Sequence, residues 1–229
     1  MTGITEVPDM LVSPEAVRGA GRAAAAAVVE SGSTESRVLD AVVACAARWG
    51  IDKTTVDDVA REAGVSRATV YRLFPSGKSA LVHLSTNREV IYMLMGLVQR
   101  VERCATLTDA VVELLHGGTT RVAAQPAVAY MSAHEPGRLR AFFSLDRLDS
   151  LFALTADVVA PSLYRFLDTS AARECVIWAA RLVLSYYLNP DPERNLAEVD
   201  FARRLAETHV MAGLVSHTVH PPTIQETQT

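Results

Sequence analysis

The sequence predicts an all-α protein, with a three-helix N-terminal headpiece carrying a helix-turn-helix and a larger helical body behind it. Three observations lead there. Apolar residues recur at spacings of three and four in one segment after another, Ser, Thr, Gly and Pro stand where helices should start and stop, and no stretch alternates with the period of two that a half-buried strand requires. Of the 229 residues, 49% are apolar, which is enough to bury a sizeable core.

Residues 1–12 are unpatterned. Ser13-Pro14-Glu15 then reads as a helix start, with Ser as N-cap, Pro at the first helical position and Glu near the positive end of the helix dipole. An Ala-rich helix should follow to Glu30 until Ser31-Gly32-Ser33 breaks it, so 1–32 is an N-terminal extension. The next helix runs from Ser33 or Thr34 to about Trp49, with Val38, Leu39, Val42, Val43, Cys45, Ala46 and Trp49 forming one buried stripe before Gly50. Thr54 or Thr55 caps a short helix whose Asp57 and Asp58 suit its N-terminus, and Gly64 ends it. Ser66 caps a third helix reaching Phe74, and Pro75-Ser76-Gly77 turns the chain into a long helix from Lys78 towards Arg103. The headpiece is therefore 33–80.

Helices are expected over 107–124, 127–145 with a break at Glu135-Pro136-Gly137, 147–168 with a kink at Pro161, 171–188 and 198–216. Asn189-Pro190-Asp191-Pro192 is a loop. Residues 81–216 form the larger helical body, and 217–229, with Pro221-Pro222, a flexible tail.

Composition narrows the function classes. The apolar runs are far shorter than the roughly 20 residues that span a bilayer, and the acids Asp9 and Glu15 argue against a signal peptide; no membrane partner is expected. Cys45, Cys104 and Cys175 are odd in number and far apart, which suits reduced core thiols in a cytoplasm better than a disulfide frame. No CxxC pair is present, and His217 and His220 have no third ligand beside them, so no metal or other cofactor is expected. No Ser-His-Asp order or phosphate-cradling Gly loop points to an enzyme.

A net charge of −4 looks wrong for a DNA-binding protein, but residues 64–78 carry Arg67, Arg72 and Lys78 with no acid. In this segment Gly64 permits the tight turn, Val65 plugs the gap between helices, and Val70 and Phe74 point inward with Leu73 beside them. That leaves Arg67, Ala68, Thr69, Tyr71 and Arg72 towards DNA. Arginines suit guanine edges or phosphates, Ala68 and Thr69 a thymine methyl, and Tyr71 a phosphate oxygen. Lys78 and Thr55, each at a helix start, are further candidates for phosphate contact, and Ser66 belongs to the same surface. The bland reading is a helical hairpin with a solvated basic face; agreement of turn, caps, plug and charge favours DNA.

The run Thr54-Thr55-Val56-Asp57-Asp58-Val59-Ala60, then Ala63-Gly64-Val65-Ser66, then Thr69-Val70-Tyr71-Arg72-Leu73-Phe74 and Lys78, resembles the N-terminal domain of the tetracycline-repressor (TetR) family. The likeness covers about 50 residues, 34–84, and the rest agrees only in length and helix count. Two departures stand out: the turn before Lys78 is one residue longer than the commoner form, and Ser79 stands where an acid often follows the Lys. The resemblance implies a homodimeric repressor of a near-palindromic double-stranded operator. Its last two long helices would pair with their mates, and an effector in the body would shift the fourth helix and misalign the headpieces. Broad apolar surfaces on 171–188 (Cys175, Val176, Trp178, Ala179, Leu182, Val183, Tyr186) and 198–216 (Val199, Phe201, Ala202, Leu205, Ala206, Val210, Leu214) are compatible with such pairing.

Candidate effector contacts are Met93, Leu97, Leu115, Tyr130, Met131, Phe142, Phe143, Leu151, Phe152, Leu154, Val158 and Trp178. Each alone reads as core; together they describe an apolar cavity for a small hydrophobic effector, of acyl type among others, with Arg181 as one cation for an anionic head group. The reading is a ligand-responsive transcriptional regulator, a repressor before an activator. Its rival from another class is a lipophile-sequestering protein whose headpiece no longer serves DNA.

Overall fold

The computed structural model describes residues 32–135, 137 and 145–210. The expected Ala-rich helix of the extension, the tail, residues 211–216 of the last helix, and Phe142 and Phe143 lie outside the described residues. Within them every regular element is helical, and a single isolated bridge, Asp191 to Arg194, closes the loop between the last two long helices.

Three helices make the headpiece: α1 (Thr34–Trp49), α2 (Val56–Ala63) and α3 (Arg67–Leu73). Their boundaries follow from local chemistry. The Ser33 hydroxyl accepts from the Ser36 N–H at 3.0 Å, and Gly50, at φ +82°, ends α1. Thr55 and Asp58 form a reciprocal capping box, with Asp in the place where Glu or Gln is more usual. Gly64 takes the left-handed conformation at φ +66°, and the Val65 N–H reaches back to the Ala60 carbonyl at 3.0 Å, so the turn satisfies the last carbonyls of α2. Val38, Leu39, Val42, Val59, Val70 and Phe74 fill the core between the three helices, with Val65 partly buried against it.

The fourth helix, α4 (Lys78–Val101), belongs to both units. Leu81 and Val82 complete the headpiece core, while Leu94, Leu97 and Val101 lie in the core of the body. The body continues through α5 (Leu107–Val112), α6 (Gly118–Ala124), α7 (Pro126–His134), α8 (Leu145–Val159), α9 (Thr169–Leu188) and α10 (Val199–Leu205). Helix α1 packs on α7 as well as on α4, so the headpiece has two footings on the body.

Some boundaries differ from expectation, each for a local reason. The single helix expected over 107–124 is interrupted by a π-helical turn, Glu113–Gly117. Because Gly117 has no Cβ, the Glu113 carboxylate folds over that position and pairs with Arg100 of α4. After Val159 the expected 147–168 helix tightens into a 3₁₀ turn, Ala160–Leu163, at Pro161, whose nitrogen has no hydrogen to donate. The last helix gives way at Leu205 to a second π turn, Ala206–Val210.

Helix α9 uses most of its apolar width within this chain. Cys175, Val176, Ala179 and Val183 are buried within this chain, against α6, α8 and the first π turn. What α9 leaves outside is a narrower stripe of Glu174, Trp178, Arg181 and Ser185, spaced along one face.

Candidate nucleic-acid interface and effector cavity

Helix α3 divides cleanly into two faces. Val70 and Phe74 are 0% and 1% exposed, and they anchor the helix to the headpiece. Arg67, Ala68, Tyr71 and Arg72 are exposed and Thr69 is half-buried, so the face expected to meet DNA is indeed the free one. Ser66 caps this helix: its hydroxyl accepts from the Thr69 N–H at 3.0 Å and lies 2.9 Å from the Thr69 hydroxyl.

The two arginines differ in readiness. The Arg67 guanidinium stands 5.5 Å over the Tyr71 ring, donates to the Tyr71 hydroxyl at 3.5 Å and pairs with Asp57 of α2 at 3.1 Å. The Tyr71 hydrogen bond, with Asp57 behind it, raises its pKa further above the usual arginine value. Arg72 makes no ion pair among the described residues and projects as a ready cation.

Thr55 and Lys78 serve first as internal ties. The Thr55 hydroxyl donates to Asp58 at 2.6 Å, and its backbone N–H donates to the same carboxylate at 3.1 Å. Hydrogen bonds from the Thr55 side chain and backbone hold the Asp58 pKa below its ordinary range. Lys78 Nζ donates to the Asp52 carbonyl at 2.7 Å, linking the α1–α2 loop to the start of α4, and partial burial lowers its pKa. The structure thus groups Ser66, Arg67, Ala68, Thr69, Tyr71 and Arg72 on α3 and its cap, while Thr55 and Lys78 are tied to Asp58 and to the Asp52 carbonyl.

A cavity of about 160 Å³ lies where the headpiece meets the body. One wall is headpiece: Val42, Val43 and Ala46 of α1, with Ile51 beyond it. Helices α4, α6, α7, α8 and α9 supply the others, and the lining is overwhelmingly apolar. Of the expected contacts, Met93, Leu97, Met131, Leu151 and Phe152 face it. Leu115 and Leu154 are instead body core, 0% and 4% exposed, with Val158 packed against them. Tyr130 turns away towards Gly50 at the end of α1 and stacks on His134 at 4.6 Å. Trp178 is on the outer face of α9, and Arg181, also exposed, holds its guanidinium 5.3 Å over the Phe152 ring. Periodicity could not separate these cases, because core and cavity walls use the same residue types at the same spacing.

The comparisons bear on the headpiece above all. Residues 38–84 match the family model for bacterial regulatory proteins of the tetR family. The match falls on the headpiece and the start of α4. An uncharacterised HTH-type transcriptional regulator of Mycobacterium tuberculosis is 41% identical over 54 residues, 24% of this chain and 29% of that protein. The chain therefore matches less than a third of the length of that relative. Among solved structures, the TetR family repressor AlkX of Dietzia sp., implicated in biodegradation of n-alkanes, superposes with a TM-score of 0.61 at 20% identity, over 81% of this chain and 96% of its own. The fatty acid degradation regulator FadR of Bacillus halodurans gives 0.50 at 18% identity, over 79% and 98%. At these identities the likeness establishes the all-α fold across the body. The family and these relatives are transcriptional regulators, not enzymes. No helix among the described residues is long and apolar enough to cross a membrane.

Sequence reasoning missed the polar links between the headpiece and the cavity. Arg88 of α4 is 2% exposed and donates to the Ser36 carbonyl of α1 at 3.1 Å and to Asp40 at 2.6 Å. The next residue, Glu89, lines the cavity and lies 3.4 Å from the same guanidinium. Burial pushes the Glu89 pKa up, and Arg88 pulls it only part of the way back. An Arg-Glu pair inside an apolar helical pattern was the available signal, since charges are rarely buried unless paired.

Proposed function

We propose that this chain is a ligand-responsive DNA-binding regulator: a homodimeric repressor released from a near-palindromic operator by a small lipophilic effector. The observation that carries the proposal is the shared wall. Val42, Val43 and Ala46 belong to the helix on which α2 and α3 are built, and they also line the cavity. A molecule entering there touches the headpiece directly and also touches α4, which is tied to α1 through Arg88. Packed helices respond to such insertion by shifting as bodies, because a close-packed interior does not deform smoothly. Displacing one headpiece relative to its mate spoils the half-site spacing that a dimer reads.

Dimerisation is assigned to the outer stripe of α9 together with α10. Trp178 and Val199 are 38% and 48% exposed there, large apolar groups left over after the chain has packed its own core. Both solved relatives described above regulate or are implicated in the breakdown of apolar-chain compounds, in keeping with a lipophilic effector.

The test is a gel-shift against DNA upstream of the protein's own gene, across a salt series. Sequence-selective binding that weakens steeply with salt is expected. The double variant Arg67→Ala with Arg72→Ala should keep its oligomeric state and lose most of that affinity. Undiminished selectivity in the double variant would remove the assigned contacts. Selective binding by neither protein would favour a sequestering role.

A further inference from the structure

We infer that the cavity takes a small apolar carboxylic acid, whose carboxylate pairs with Arg121. The inference rests on the cavity being the effector site, and it adds the head-group chemistry and the size of the occupant.

Among the charged side chains, Glu89 and Arg121 line the cavity. They are not equivalent. The Glu89 carboxylate already lies beside Arg88. Arg121 of α6 makes no ion pair among the described residues, and its one hydrogen bond runs from Nη2 to the Gly96 carbonyl of α4 at 2.9 Å. A guanidinium carries five N–H donors in a planar fork, so most of its capacity is uncommitted at the edge of an almost wholly apolar space. A half-buried cation without a counter-charge is unfavourable, and an arriving anion relieves it. The fork also matches the two oxygens of a carboxylate.

The cation is placed by its surroundings. A Cβ at position 96 would stand 2.6 Å from Arg121 Nη1 and 3.1 Å from Cζ, so the guanidinium occupies the space that Gly96 leaves on α4. Gly96 and Glu89 are seven residues apart on that helix, two turns or about 10 Å. The acid is thus at the headpiece end and the unpaired cation at the far end, with Met93 between them on the cavity side. A carboxylate would seat against Arg121 and point its apolar body back towards α1.

Volume limits that body. A cavity of about 150 Å³ lined by apolar residues holds one benzene, and this one is about 160 Å³. The occupant is then an aryl or short-chain alkyl acid of roughly six to ten non-hydrogen atoms, because a long acyl chain needs several times that space.

Calorimetric titration of the full-length protein near neutral pH tests this with matched pairs: benzoate against benzyl alcohol, and hexanoate against hexan-1-ol, with palmitate as the long acid. Each short acid should bind at least tenfold more tightly than its alcohol, and palmitate more weakly than hexanoate. Arg121→Gln should abolish the gap while leaving alcohol binding unchanged. Gly96→Ala, which keeps the charge but displaces it, should weaken the acids several-fold. Should Arg121→Gln fail to fold, the wild-type pairs decide alone. Acids and alcohols binding equally would overturn the head-group assignment and leave the cavity reading intact. Palmitate binding as tightly as hexanoate would overturn the size limit. If no probe binds, the effector-cavity reading falls, and this inference with it.

Discussion

Arg88→Met isolates the buried link between headpiece and body, and the structure ranks its parts. The substitution keeps a long apolar stem and removes every donor. The bond to the Ser36 carbonyl is charge-assisted and buried at both ends, worth about 1.5–3 kcal/mol. The pair with Asp40 is shorter, at 2.6 Å, yet that carboxylate side chain is 66% exposed, so solvent leaves it about 0–1 kcal/mol. Glu89, 29% exposed, loses its neighbouring cation, which adds to the loss. Against this, Met removes a buried Nε that has no partner, recovering about 1 kcal/mol or more. The net expectation is a loss of about 2 kcal/mol in urea unfolding. Asp40→Asn should cost less than about 1 kcal/mol, and the interaction energy from the double-mutant cycle should be no larger. Arg88→Met unfolding within about 0.5 kcal/mol of wild type, or Asp40→Asn as damaging as Arg88→Met, would overturn this ranking.

Three further outcomes are expected. Because burial raises the Glu89 pKa, its ionised form opposes folding, so Glu89→Gln should be more stable than wild type at neutral pH. That advantage should shrink as pH falls through the raised value and be gone below the ordinary value of 4.5, which parallel denaturation curves at several pH values would reveal. Trp178→Glu puts a charge on the outer stripe of α9 without touching the core, and should shift the protein towards monomer in sedimentation at micromolar concentration; an unchanged dimer would move the interface elsewhere. Burial pushes the Cys175 thiol up to about 12 and also raises Cys45 and Cys104, but Cys104 is only half-buried. Maleimide should therefore label Cys104 first in the native protein, with Cys45 and Cys175 reacting only after unfolding.

By itself the sequence determined what local chemistry controls. Ser33, Thr55 and Ser66 cap helices, Gly50 and Gly64 end them, and Val70 with Phe74 orients α3, because each effect acts within a few residues. The headpiece and the exposed basic face of α3 were legible for that reason. Tertiary structure alone decided which apolar side chains bound empty space. Leu115 and Met131 carry the same pattern signal, yet the former is solid core and the latter cavity wall. It also decided that α1 shares that wall, and that Gly96 and Arg121, 25 residues apart, meet. Periodicity reports the direction in which a residue points along its own helix, but not what the neighbouring helix places opposite it.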